Sequence, residues 1–199
     1  MCYFFLNIKL TKIGVLSLST NLSKKVSTQD LLYSAIFTAL TAALSYVIIP
    51  LPFSPVPITG QTFAIMLCGA VLTTKQTFFS VLSYILIGLV GVPVFSGGTA
   101  GPGVVFGAKA GYIWGFLVGA LIISLLAPKA KNWPAMAIAC FSGGVIVVYL
   151  LGILWLARFT GMTVSQAFSV GALPFIPGDI FKVLVASFVA LKLRRMLKK

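Results

Sequence analysis

An aspartate and a lysine stand three residues apart in PGDIFK, Pro177 to Lys182, inside an otherwise apolar run. The 199-residue chain has only two acids, Asp30 and Asp179. Placing a charge inside a membrane-length apolar segment costs about 2.5–3.5 kcal/mol on insertion scales, and such residues usually serve a function. Asp30 opens a long apolar run and suits a helix cap, so Asp179 is the acid left for chemistry. A spacing of three puts Asp179 and Lys182 on one helix face. Two readings follow. The pair neutralises itself as a structural element, although apolar replacements of buried pairs are often as stable. Alternatively, it binds a ligand. An aspartate accepts hydrogen bonds and wants N–H or O–H donors, whereas Lys182, Lys109 and Arg158 want an anion or a carbonyl oxygen. The ligand is then small, with a donor-bearing polar head and either a carbonyl oxygen alone or a carboxylate as well. Gln61, Lys109 and Tyr112 are the other polar candidates nearby. Phe53, Phe95, Phe106, Tyr112 and Trp114 are candidate walls for its hydrocarbon part.

Other chemistries lack their residues. The sequence has no histidine and three cysteines, Cys2, Cys68 and Cys140, with no metal-site or disulfide spacing. Cys68 and Cys140 fall in apolar runs and read as packing residues. One acid within the membrane-length runs and no paired carboxylates argue against acid–base or metal catalysis. No GxxxxGK[ST] segment is present, so no phosphate loop is expected and no ATP hydrolysis by this chain. The net charge of +13 comes from basic residues at the ends and in short loops. It reads as a topology signal and not as a nucleic-acid surface.

The elements that must hold these residues are membrane helices. Apolar residues make up 59% of the chain and charged ones 9%, against about 25% charged in soluble domains. A spanning helix needs about 20 mostly apolar residues. Runs at Leu31–Leu51, Ile58–Thr74, Gln76–Val94, Gly111–Ala127, Ala135–Leu156 and Ala172–Leu191 predict an all-α, six-helix membrane bundle, its second span the shortest. Cytoplasmic loops carry excess Lys and Arg. An inner N-terminus puts twelve basic residues inside and leaves three, Lys109, Arg158 and Lys182, outside. An even number of spans then places both termini in the cytoplasm. The membrane domain is read as residues 27–199. Residues 1–26 form an extension without signal-peptide order, either a surface helix or the product of an upstream start codon. Ser27-Thr28-Gln29-Asp30 predicts a capping box.

Two outer loops are unusual. Pro50 to Gly60 reads PLPFSPVPITG, and Val94 to Gly111 reads VFSGGTAGPGVVFGAKAG. They are either connectors or lids over an outward-facing pocket, where glycine lets backbone approach a ligand closely. On the first helix Ala35, Ala39 and Ala43 recur every four residues, a smooth stripe for close helix approach within the chain or with a partner.

Three ordered stretches, PVPITGQTFAIMLCGAVL (Pro55 to Leu72), GVPVFSGGTAGPGVVFGAKAGYIWGF (Gly91 to Phe116) and PFIPGDIFKV (Pro174 to Val183), resemble the BioY family. These are the biotin-specific S components of energy-coupling factor (ECF) vitamin transporters. The resemblance runs from about Leu31 to the C-terminus. It implies a six-helix bundle in the bacterial plasma membrane, holding biotin under outer loops without a cofactor or metal. Asp179 and Lys182 match the family's site; Gln61, Lys109, Tyr112, Phe95, Gly97 and Gly98 lie in the matching stretches and complete the candidate set. Ala35 and Ala39, with Ala43, match the stripe that docks on a transmembrane coupling subunit, itself served by two ATPases. Where the family turn reads like GPTGGY this chain has GAKAGY, Gly107 to Tyr112, so Lys109 replaces a small polar residue. It either reaches the ligand carboxylate or points to solvent. A stand-alone biotin facilitator and an S component for another small vitamin are the competing functions. A self-sufficient carrier would be expected to show internal repeats, and none is evident.

Overall fold

The computed structural model describes residues 27–54 and 56–197; the extension 1–26, with Cys2, lies outside the described residues. Helix α1, Thr28–Leu44, opens on the expected capping box. Asp30 Oδ2 accepts from Ser27 N at 3.1 Å, while its Oδ1 accepts from Gln76 Nε2 at 2.7 Å. The first acid is thus consumed in joining two helix starts. The buried face of α1 carries Ser34, Phe37, Thr38 and Thr41. Ser34 Oγ reaches Gln76 O at 3.0 Å and Thr38 Oγ1 reaches Ser80 O at 2.9 Å. These short hydroxyl side chains let two backbones approach while satisfying one another. Ala35, Ala39 and Ala43 are left exposed on another face.

A two-residue hairpin follows, β1 (Ile48–Ile49) antiparallel to β2 (Ile58–Thr59). Helix α2, Gln61–Val71, is the most enclosed element; Ala64, Ile65, Met66, Cys68 and Ala70 are wholly buried. Helix α3, Thr74–Val90, begins at a Thr73–Gln76 capping box and stops at Gly91, whose φ of 113° is left-handed. After the short α4 (Pro102–Val105) comes α5 (Ala110–Leu126), closed by a 3₁₀ turn at Ala127–Lys129. Then α6 (Trp133–Phe141), a π turn (Ser142–Val147) and α7 (Val148–Thr160) run on as one 28-residue helix. Helix α8 (Val164–Gly171) meets α9 (Ile176–Leu197) at a 58° bend.

Helix α2 forms the centre, with α5 and α9 packed against it. Helix α5 lies on α7 through glycines. A Cβ added at Gly115 would stand 3.1 Å from Val148 Cα, and one at Gly119 would stand 3.1 Å from the Gly143 carbonyl carbon. Neither helix can retreat without opening the core. Gly119→Leu is therefore expected to destabilise the fold by about 1–3 kcal/mol, the usual range for overpacking. The measurement is thermal unfolding in detergent; an unchanged melting temperature would contradict this packing.

Among the described residues two helices, Ala110–Lys129 and Trp133–Thr160, are long and apolar enough to cross a bilayer, and the bent α8–α9 pair makes a third if counted as one span. The predicted runs differ from the helices at their ends. The second run loses its start to β2 and its end to the Thr73 cap, leaving 11 residues, or roughly 16 Å at 1.5 Å per residue. The first run stops at Leu44, before the hairpin. The last begins at Ile176 and extends to Leu197, and α8 ahead of it is an added element.

Candidate functional site

Asp30–Gln76 and Ser124–Thr74 hydrogen bonds gather the starts of α1 and α3 and the end of α5 at one end of the bundle. The opposite end holds a cavity that is partly open to solvent. Its walls come from β2, the starts of α2, α5, α7 and α9, and the loop before α4.

Asp179 sits in the first turn of α9 and is 2% exposed. The unpaired N–H groups and dipole of a helix N-terminus favour an anion there. Its Oδ1 accepts from Lys182 Nζ at 2.8 Å and from Thr62 Oγ1 at 3.1 Å. Its Oδ2 accepts from the Tyr149 hydroxyl. Lys182 Nζ also donates to Thr59 O at 2.8 Å and to Thr62 Oγ1 at 3.0 Å. An ammonium has three protons, so Lys182 is saturated. The predicted face-sharing pair is present and belongs to a four-residue polar cluster drawn from α2, α7 and α9.

Lys109 differs from Lys182. It precedes α5, lines the cavity, and has one long contact, 3.4 Å to Ser96 Oγ. Both carboxylate side chains of the chain are engaged elsewhere, with Gln76 and Ser27 or within the Asp179 cluster. Burial lowers the Lys109 pKa from its ordinary value. Lys109 thus stands on the wall of a cavity that is partly open to solvent.

Gln61 and Tyr112 line the cavity too, yet their polar atoms hold the frame. Gln61 Oε1 accepts from Thr59 Oγ1 at 3.0 Å, and its amide donates to the Tyr84 hydroxyl, which donates onward to Val94 O at 3.0 Å. The Tyr112 hydroxyl donates to Gly171 O at 2.8 Å, tying α5 to the end of α8. Phe95 is buried as an edge contact on Tyr84, with ring centroids 5.5 Å apart, and forms part of the wall. Gly97 and Gly98 do not line the cavity. Their φ values of 72° and 73° make the turn that closes the Phe95–Thr99 bridge, and Gly97 N donates to Ser45 O at 3.1 Å. Their role is to aim Phe95 and Ser96, through a conformation that glycine adopts at little cost.

Four aromatic or basic candidates lie elsewhere: Phe53, Phe106, Trp114 and Arg158 are exposed and line no part of the cavity. Sequence reading missed Thr62, Tyr149, Phe116 and Phe175. A usable signal existed for two of them: Thr62 adjoins Gln61, and Tyr149 carries a hydroxyl inside an apolar run. No metal-binding group of three or more His, Cys, Asp or Glu is present among the described residues. Ala35 and Ala39 line a separate apolar groove between α1 and α3, with Leu31, Phe79 and Ile87.

Known proteins resemble this chain in sequence and fold. The profile of the BioY family matches residues 19–199. "Biotin transporter BioY2" of Lactococcus lactis subsp. cremoris is 40% identical over 170 residues, 83% of this chain and 92% of that protein. "Biotin transporter BioY" of Thermotoga maritima is 37% identical over 168 residues, 84% of this chain and 97% of that one. The crystal structure of the S-component for biotin from an ECF-type ABC transporter superposes with a TM-score of 0.79 at 30% identity, covering 89% of this chain and 95% of the other. Sequence likeness over most of both partners and a shared helical frame lead to one conclusion: the chain belongs to the BioY family.

Proposed function

We propose that this chain is a biotin-binding membrane subunit, an S component, which takes up biotin together with an ECF module of one transmembrane coupling subunit and two ATPases. The observation that carries the reading is the buried Asp179–Lys182 pair facing a cavity in which Lys109 has no carboxylate partner. The pair is neutral as a unit and offers an acceptor to a donor-bearing head. Lys109 leaves one positive charge over, and a monocarboxylate cancels it. Biotin supplies both: a ureido head with two N–H donors and a carboxylate tail. Phe95, Phe116 and Phe175 provide apolar walls for the thioether ring and chain between them. Relatives named as biotin transporters, and the biotin S-component whose frame is shared, support the choice of ligand.

The membrane arrangement goes with that reading. The helices α1, α2, α3, α5, the continuous α6–α7 and α9 serve as six crossings, with α8 beside the cavity. The excess of Lys and Arg places both termini and the Asp30 end in the bacterial cytoplasm. The cavity then opens outward, and the exposed stripe Ala35, Ala39 and Ala43 faces the coupling subunit.

The test is Asp179→Asn, which keeps size and removes charge. Loss of a charge-assisted hydrogen bond is worth about 1.5–3 kcal/mol, or roughly 10- to 150-fold in affinity. Biotin titration of parent and variant in detergent measures it. Parent binding with a folded variant within twofold would remove Asp179 from the ligand contacts.

A further inference from the structure

Resting on the biotin reading above, the geometry points to Tyr149 as the residue that positions Asp179 for its ligand. A carboxylate offers about four lone-pair sites on two oxygens. Two donors, Lys182 and Thr62, occupy Oδ1. Oδ2 holds one donor, the Tyr149 hydroxyl. The remaining acceptor site is therefore on Oδ2, beside the phenol, and both residues line the cavity. Lys182 and Thr62 anchor one oxygen from α2 and α9, while Tyr149 fixes the rotation of the carboxylate from α7 across the cavity. Without the phenol, Asp179 keeps its ion pair but loses the contact that aims its free lone pair at the ligand N–H.

The phenol is itself placed by the helix break before it. Ser142–Val147 is a π turn immediately ahead of Val148 and Tyr149, and such turns are frequent at functional sites. Within it Gly144 packs against the Met66 side chain and Gly143 against the backbone of Gly119. The start of α7 is thus clamped on α2 and α5, and Tyr149 approaches Asp179 from a rigid element. Among the described residues no other tyrosine does this; the Tyr112 and Tyr84 hydroxyls donate to Gly171 O and Val94 O.

The experiment is a double-mutant cycle on the full-length chain in detergent, titrated with biotin: parent, Tyr149→Phe, Asp179→Asn and the double variant. Tyr149→Phe is expected to weaken biotin about 5- to 10-fold, near the lower end for a bond to a charged group. In the Asp179→Asn background the same change is expected to cost less than about twofold, because a positioning residue acts only through its partner. Thermal unfolding without ligand confirms that each variant is folded. If Tyr149→Phe does not fold, Tyr149→Gln and Tyr149→Leu replace it, and the donor-bearing Gln is expected to bind more tightly. Equal losses in both aspartate backgrounds overturn the proposal, as does Tyr149→Phe binding like the parent or Gln binding no better than Leu. A parent that fails to bind biotin refutes the ligand assignment instead, a result visible before any variant is made.

Discussion

Lys182→Met is expected to destabilise the protein by about 3–5 kcal/mol, the range for stripping one partner from a buried ion pair. Asp179 is 2% exposed and loses its 2.8 Å donor. Thr59 O loses its lysine donor in the same step. Methionine fills the volume but supplies no proton, so the carboxylate stays desolvated with only Thr62 and Tyr149 bonded to it. Combining Lys182→Met with Asp179→Asn removes the stranded charge and is expected to recover much of the stability while biotin binding stays lost. Thermal unfolding in detergent with a biotin titration separates the two effects. A Lys182→Met protein that melts with the parent would show that the pair carries no structural weight.

Ala39→Trp is expected to abolish assembly with the coupling subunit, and with it transport, while biotin affinity stays within about twofold. Ala39 is exposed on α1, while Ser34 and Thr38 make the hydrogen bonds that pack this helix on α3. An indole there blocks the groove that Ala35 and Ala39 share with Phe79 and Ile87, at whose edge Ser34 and Thr38 also lie. Small residues permit close helix approach, and a large one prevents it. A pull-down with the coupling subunit and a titration on the same variant read the two outcomes. Joint loss of folding and ligand binding would assign the stripe to internal packing; unchanged assembly and transport would put docking on another face.

The chemistry of the site was legible in the sequence because the chain has so few charges. With two acids, Asp30 explained by a cap and Asp179 three residues from a lysine, elimination reached the buried pair without any tertiary information. The capping box at Ser27 was equally local. What is local can be read; what converges cannot. Thr62 and Tyr149 reach Asp179 across 117 and 30 residues, and their neighbourhoods mark them as polar without naming Asp179 as the partner. Phe53 and Trp114 failed as wall residues for the converse reason: loop position and helix phase decide which ring turns inward, and composition is blind to both. Helix α8 escaped because its eight residues fall between the runs Ala135–Leu156 and Ala172–Leu191 and are too short to read as a span. Gly97 and Gly98 adopt left-handed φ values in the turn after Phe95, a backbone feature their glycine identity alone did not reveal. Lys109 was the departure from the family turn, and its placement needed the fold: it lines the cavity with one 3.4 Å contact to Ser96 Oγ.

The most direct measurement is equilibrium binding of biotin to the purified full-length chain in detergent, without ATP or partner subunits, alongside thiamine and riboflavin. Calorimetric saturation by biotin alone, at one site per chain, is the result this account predicts; saturation by thiamine or riboflavin with no heat from biotin would contradict it.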